Sequence, residues 1–382
     1  MSDSVPTALR SLKLTGFRNY ATLTLPLDGR SVVLTGPNGA GKTNLLEAVS
    51  FLAPGRGLRR ANLEEVARRP GDGAWAVAVT VENTSGFVDI GTGIALGAEG
   101  PETRRSVRVN RAAARSTDAL IEHLRVLWLT PAMDGLFTGP AADRRHFLDR
   151  AVLAIDKGHG TRVNAFEKAM RGRNRLLVDS GPDRNGEWLD AIETEMAELG
   201  VAIAAARREW ASLIAGLIAA ADRDSPFPWA EIQLEGTLEH ELDGNSASTV
   251  EGLYASELAG ERPVDAAAGR TLRGPHRSDL RVRHGRKQVA AETCSTGEQK
   301  ALLIGLTLAE ARLTAQLTGE TPIVLLDEIA AHLDEVRRAA LFAVLDDLAC
   351  QAFMTGTDAN VFAPLGERAE RFTVREATVT PA

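Results

Sequence analysis

The sequence predicts an α/β fold in which a parallel-sheet head is interrupted by a long helical insertion. Three observations carry this expectation. An apolar strand runs through a glycine-rich loop into a helix at residues 32–49, a second apolar strand ends in two acids at residues 322–328, and an apolar seam at heptad spacing lies between residues 192 and 220. The chain has 382 residues, 44% of them hydrophobic and 25% charged, a composition that suits a globular protein and excludes disordered and collagen-like chains.

The first strand, Val32-Val33-Leu34, leads into Gly36-Pro37-Asn38-Gly39-Ala40-Gly41-Lys42-Thr43 and then Asn44-Leu45-Leu46-Glu47-Ala48-Val49. That order of strand, loop and helix is the context of a P-loop. Its glycines let backbone N–H groups approach phosphate oxygens, and the helix N-terminus adds positive potential. Lys42 is expected against the β and γ phosphates of ATP, and the Thr43 hydroxyl as a ligand of Mg²⁺. The second strand, Pro322-Ile323-Val324-Leu325-Leu326, reads as a parallel strand covered on both faces. Of the acids that follow, Asp327 is expected to hold Mg²⁺ through water and Glu328 to polarise the attacking water. By itself this segment also fits a core strand ending in a solvated acid pair; beside a P-loop the catalytic reading prevails.

A third element, Ser295-Thr296-Gly297-Glu298-Gln299, opens a long amphipathic segment, Lys300 to Leu317, and begins 32 residues before Asp327. Ser295 and Glu298 have the spacing of a capping box. A capped helix N-terminus with a hydroxyl and a glycine also suits a phosphate arriving from outside the chain.

About 250 residues separate Thr43 from Ser295. Within them Ile192, Met196, Leu199, Ile203, Ala206, Trp210, Leu213, Leu217 and Ala220 alternate spacings of four and three, a seam of about four heptads and, at ~1.5 Å per residue, a helix of ~45 Å. Upstream, Val163, Phe166, Met170 and Leu177 share this spacing, with Arg173 interrupting it, and Ser180 to Gly186 reads as a turn. A short antiparallel helical hairpin follows, with a plain helical bundle as the alternative.

The formal net charge is −7, which taken alone argues against a nucleic-acid partner. The distribution says otherwise: residues 1–125 hold 16 basic and 12 acidic side chains, residues 141–260 hold 13 and 21. Basic clusters occur at Arg56, Arg59, Arg60, Arg68 and Arg69, at Arg104, Arg105, Arg108, Arg111 and Arg115, and between Arg270 and Lys287. Each fits a solvated face or a phosphate-contacting one equally well. Cys294 and Cys350 form no metal-binding pattern, no signal-peptide core appears in Met1 to Gly16, and the longest apolar run, Trp210 to Ala221, is too short to span a bilayer, so a cytoplasmic location is expected.

With these motifs the sequence resembles the ABC-type ATPases, whose S-G-G-Q-like signature Ser295–Gln299 approximates, departing from it at Thr296 and Glu298. Ala331-His332-Leu333-Asp334 looks like the D-loop of that family, and Gln351 to Thr357 like its next strand, ending in Thr where transporter motors carry a switch His. No Gln occurs between Trp128 and Asp134, where a Q-loop would lie. Coiled-coil insertions point to the SMC-like branch, but four heptads without C-x-x-C are too few for SMC proteins or zinc-hook ATPases. Leu12-Lys13-Leu14-Thr15-Gly16-Phe17-Arg18-Asn19-Tyr20, Asp143-Arg144-Arg145-His146-Phe147-Leu148-Asp149 and Gly274-Pro275-His276-Arg277-Ser278-Asp279-Leu280 resemble motifs of the RecF family of bacterial recombination mediators.

This resemblance implies an ABC-type ATPase head, residues 1–125 and 263–382, with a parallel core and an N-terminal antiparallel region containing Ala76 to Val81 and Ser106 to Val109. Residues 126–262 would form a helical lobe carrying a short coiled-coil arm at about 161–222. It implies that Arg18, Asn19, Gly36 to Thr43, Ser295 and Gly297 contact nucleotide, with Lys42 and Glu328 catalytic. It further implies an ATP-dependent homodimer on double-stranded DNA at junctions with single strands, with weak, DNA-stimulated ATP hydrolysis. RecR and RecO would be partners and RecA an indirect one, and no membrane would be involved. Arg56, Arg59, Arg60, Arg104, Arg105, Arg108 and Arg111 become candidates for DNA contact. A structural SMC-like DNA organiser and a transporter motor remain as rival readings.

Overall fold

The computed structural model describes residues 6–97, 100–102, 104–181, 185–221 and 225–382. Contacts divide the chain into two compact units: Met1–Asp134 with Asp222–Pro228 and Lys300–Ala382, and Gly135–Ala221 with Trp229–Gln299.

The first unit contains two six-stranded sheets. In the antiparallel one, Ala8–Phe17 lies between Tyr20–Pro26 and Trp75–Asn83, followed by Gly86–Ile94, Ser106–Val109 and Ala112–Ala113. Alternation decides its faces: Leu12, Leu14, Val77, Val79 and Val81 are buried, while Lys13, Thr15 and Ala76 are exposed. In the other sheet Val126–Leu129, Ile323–Leu326, Ala352–Gly356, Ser31–Thr35 and Ala369–Arg375 run parallel, with Thr378–Pro381 antiparallel at the edge. All four residues of Ile323–Leu326 are buried, as a strand covered on both faces requires. One apolar core joins both sheets to the helix Lys42–Ser50 through Leu45, Leu46, Ala48 and Val49. Phe17, Phe51 and Trp75 pack at its edge with ring centroids 4.9–6.0 Å apart.

Three bounds of the first unit differ from the sequence expectation, the first being that it takes in Asp222–Pro228, expected in the helical lobe. Val126–Leu129 extends it past residue 125, because this strand pairs with Ile323–Leu326. Residues 263–299 group with the second unit, because Asp279–His284 pairs antiparallel with Ala230–Glu235.

The second unit is built on the helices Ala141–Ile155, His159–Ser180, Gly186–Ala220 and Ala247–Gly260. Gly186–Ala220 has 35 residues, ~52 Å at ~1.5 Å per residue. Of the expected turn at Ser180–Gly186, residues 182–184 lie outside the described residues, as does Asp222 at the end of the expected arm. The hairpin does not stand alone, since Val250, Tyr254 and Leu258 of Ala247–Gly260 share a core with Phe166, Met196, Val201 and Ala204. This third helix also recentres the buried face. Leu189, Glu193, Gly200, Ala204, Arg207, Ile214 and Ile218 are buried along with Met196, Ile203 and Trp210, whereas Ala220 of the predicted seam is exposed.

The buried charges on that face are paired. Arg173, which interrupts the upstream apolar spacing, is fully buried; it donates to Glu193 at 2.8 Å, Asp265 at 2.6 Å, the Thr271 hydroxyl at 2.9 Å and the Leu258 carbonyl at 2.7 Å. Arg207 donates to both oxygens of Asp149, at 2.8 and 2.9 Å, and to the Pro275 carbonyl at 2.6 Å. Around it the segment Gly274–Leu280 gains a structural account. Arg144 holds Asp279 through two bonds of 2.7 and 2.8 Å, Arg145 donates to the Ser278 carbonyl at 2.9 Å, and the Ser278 hydroxyl donates to Glu239 at 2.8 Å. At Gly274, with φ at 128°, a Cβ would lie 2.1 Å from the Tyr254 hydroxyl oxygen.

Because Arg173 neutralises two buried carboxylates, Arg173→Ala is expected to cost about 3–5 kcal/mol. Thermal unfolding of the intact chain, read by calorimetry, would show a clearly lowered transition; an unchanged one would refute the importance of this pairing.

Candidate nucleotide-binding site

The loop Gly36–Gly41 starts at the C-terminal end of the central strand Ser31–Thr35 and feeds the helix that begins at Lys42. At Gly41, with φ at 113°, a Cβ would stand 2.6 Å from the Asn19 amide and 2.8 Å from the Tyr20 hydroxyl. The crowding has a purpose: Tyr20 donates to the Gly41 carbonyl at 3.1 Å, Asn19 to the Ala40 carbonyl at 3.4 Å, and Asn44 to the Asn19 side-chain oxygen at 2.8 Å. Asn19 and Tyr20 therefore brace the loop from the antiparallel sheet. Burial raises the Tyr20 phenol above its ordinary range and keeps it a donor.

Lys42 is buried, and its ammonium donates to the Gly36 and Pro37 carbonyls at 2.8 and 2.9 Å, across the mouth of the loop. Burial lowers its pKa, and the charges of Glu328 and then Asp327 oppose that shift. The Thr43 hydroxyl donates to Asp327 Oδ1 at 2.9 Å, joining two segments 284 residues apart. The same oxygen accepts the Thr355 hydroxyl at 2.8 Å, and the Thr355 oxygen accepts the Glu328 N–H at 2.9 Å. Glu328 has φ at 57°, unusual for a residue with a side chain. Thr43 and Asp327 supply only oxygen donors, which fits Mg²⁺. Among the described residues no cluster of three His, Cys, Asp or Glu could hold a metal, so ligands from outside the chain, water or phosphate oxygens, would complete the coordination.

Thr355 is a site residue that the sequence reading assigned only to a strand. Glu47 is another. It is fully buried on the P-loop helix and accepts from Arg18 at 2.5 and 2.8 Å and from Arg59 at 2.8 Å. Arg18 is thereby tied to the P-loop helix, and it also donates to the Glu65 carbonyl at 2.7 Å. Arg59, a DNA candidate, has its guanidinium engaged with Glu47 and with Asn44 at 2.7 Å.

Ser295 and Gly297 lie in the second unit, at the start of the helix Thr296–Thr318, and both are exposed. The capping box is present: the Ser295 N–H donates to Glu298 at 3.1 Å, and the Glu298 N–H to the Ser295 hydroxyl at 3.4 Å. Lys287 pairs with Glu298 at 2.5 Å and, with the Ser295 N–H, holds that carboxyl down at about 2. Beyond its chain neighbours and its own helix backbone, no described atom lies within 4 Å of where a Gly297 side chain would begin.

The remaining DNA candidates separate by environment. Arg105 donates to the Gly55 and Ala53 carbonyls at 2.9 and 3.1 Å and lies over the Phe51 ring, and burial pulls its guanidinium down to about 10. Arg56, Arg60, Arg104, Arg108 and Arg111 are exposed. Arg108 belongs to a cross-strand row, Lys13–Ala78–Gly91–Arg108, on the open face of the antiparallel sheet. Arg111 sits in the tight turn beyond and lines the same shallow trough. Its floor holds the small Ala78 and Gly91 between these cations, and Ser11, Thr80 and the exposed Asp89 carboxylate line it as well.

The family model described as RecF/RecN/SMC N terminal domain matches residues 8–380. The DNA replication and repair protein RecF of Mesorhizobium japonicum is 59% identical over 375 residues, 98% of each chain. That of Brucella abortus is 56% identical over 374 residues, 98% of this chain and 96% of the relative. Among solved structures, the recombination mediator protein RecF bound to ATP, described as acting in the RecFOR pathway, superposes with a TM-score of 0.84 at 21% identity, covering 100% of this chain and 99% of the other. An Smc head domain with an extended coiled coil from Pyrococcus furiosus gives 0.53 at 16% identity, over 98% and 96%.

Since Asn19 and Tyr20 occupy the space a Cβ would need, Gly41→Ala is expected to weaken ATP binding by about tenfold or more while leaving the fold intact. Titration with a fluorescent ATP analogue, beside a circular dichroism spectrum, checks this; wild-type affinity would show that the loop tolerates displacement.

Proposed function

The chain belongs to the RecF family of DNA replication and repair proteins, and from that premise we propose that it works as an ATP-driven clamp. Two copies close around two ATP molecules on double-stranded DNA at a junction with single strands, and slow, DNA-stimulated hydrolysis opens them. The observation that carries this reading is the 2.9 Å bond between Thr43 and Asp327, which brings the P-loop helix and the acidic strand end together as a hydrolytic site needs.

Within that site the P-loop N–H groups and Lys42 would bind the phosphates, Lys42 exchanging its bonds to the Gly36 and Pro37 carbonyls for phosphate oxygens. Thr43 and Asp327 would hold Mg²⁺, which supplies neutralisation of phosphate charge. Glu328 would orient and polarise the water that attacks the γ-phosphate. The exposed Ser295 hydroxyl and the open backbone at Gly297 support a role in trans, receiving the γ-phosphate bound by a second copy.

Lys13, Arg108 and Arg111 support the DNA reading, because three cations against the one carboxylate of Asp89, around a floor as small as Ala78 and Gly91, let a phosphate backbone approach closely. Closure would bring two such surfaces to bear on one duplex, and DNA would reciprocally favour the ATP-bound dimer. The clamp would act in the cytoplasm with RecR and RecO to help load RecA. Among the described residues no helix is long and apolar enough to cross a membrane.

DNA retention should require ATP, persist in Glu328→Gln and disappear in Lys42→Ala; a Lys42 variant that retains DNA normally would sink the clamp. Ser295→Arg should block ATP-dependent dimerisation, seen by light scattering, while sparing nucleotide binding. The double substitution Arg108→Ala with Arg111→Ala should flatten the salt dependence of DNA binding by about 2 in log–log slope per copy, given ~0.9 per phosphate contact.

A further inference from the structure

We propose that Thr355 is a positioning residue of the ATPase site, holding the two acids at the end of Ile323–Leu326 in their working relation through one hydroxyl group; this rests on the ATPase reading above. Thr355 is fully buried on Ala352–Gly356, the strand between the P-loop strand and the acidic strand. Its hydroxyl has one hydrogen to give and lone pairs to receive with. A carboxylate can only accept, so that hydrogen goes to Asp327 Oδ1, 2.8 Å away. The Glu328 N–H can only donate, so it takes a lone pair of the same oxygen at 2.9 Å. Both neighbours have fixed polarity, and the hydroxyl is left with one orientation.

Two consequences follow for the acids. Asp327 Oδ1 also accepts from Thr43, but Thr43 is the residue whose hydroxyl the phosphate-bound cation would claim. Once that bond is exchanged, Thr355 still holds this carboxylate oxygen from the neighbouring strand. Glu328 stands in the left-handed region at φ 57°, a conformation that a residue with a Cβ keeps only when its surroundings over-determine it. The bond from its N–H to Thr355 supplies that constraint next to the side chain that would polarise water. A buried threonine usually satisfies its hydroxyl on a carbonyl of its own segment. Here both partners belong to the catalytic pair instead.

The test uses the full-length chain and three substitutions. Thr355→Val keeps the shape and removes the hydroxyl, Thr355→Ser keeps the hydroxyl, and Thr355→Ala serves as the second removal should the Val chain not fold. In steady-state phosphate release, the Val or Ala variant should lose about tenfold or more in kcat with KM for ATP changed by less than about threefold, and Ser should stay within about threefold of wild type. In a separate binding measurement without turnover, the Mg²⁺ concentration that half-saturates binding of a fluorescent ATP analogue should rise about threefold or more in the hydroxyl-free variant, with binding in EDTA unchanged. Wild-type behaviour of the Val or Ala variant, or a Ser variant as impaired as Val, would overturn the proposal while leaving the ATPase reading in place. A wild-type chain that releases no phosphate from ATP would overturn both.

Discussion

The nucleotide site depends on the register of three parallel strands. Ile323–Leu326, Ala352–Gly356 and Ser31–Thr35 are aligned so that Leu326 faces Met354 and Met354 faces Val33. Their C-terminal ends therefore reach one edge together, and each chain continues there into a functional group: Asp327 and Glu328, Thr355, and the loop from Gly36. A slip of one residue in any strand would turn its terminal side chain to the other face of the sheet. The Ile-Val-Leu-Leu run, buried on both faces, has no alternation to oppose such a slip, and the bonds of Asp327 to Thr43 and Thr355 mark the register instead.

The P-loop is also held from the antiparallel sheet. Asn19 and Tyr20 bond to its carbonyls, and Arg18 reaches the buried Glu47 on the following helix. A carboxylate with no exposure inside an apolar core is tolerable only when paired, and Arg18 and Arg59 provide that pairing. The loop is thus braced on one side by the strand it leaves and on the other by the turn after Ala8–Phe17. This gives a physical reason for the F-R-N-Y segment to accompany a P-loop.

The helical unit follows the same rule on a larger scale. Arg173, Arg207 and Arg144 are each buried against carboxylates, and the Gly274–Leu280 segment supplies carbonyls and an acid to two of these networks. Such pairs contribute less to net stability than apolar packing of equal volume, but breaking one strands a charge. They tie the long helix to residues far away in sequence, and they explain why its buried face includes Glu193 and Arg207, which apolar spacing passes over.

Read alone, the sequence marks the P-loop, the acidic strand end, the capped helix start at Ser295 and a helical insertion after the P-loop. These are local patterns, each dictated by the periodicity or loop geometry of one short segment. It also located the basic clusters, yet it could not separate Arg105, whose guanidinium serves loop carbonyls, from Arg108, which lies open on the sheet. Folding adds that Thr355 links the two acids, that Glu47 anchors two arginines, that a third helix recentres the arm's buried face, and that residues 263–299 group with the helical unit. Each of these rests on contacts between residues distant in the chain, and a spacing within one segment carries no record of the partner that will pack against it.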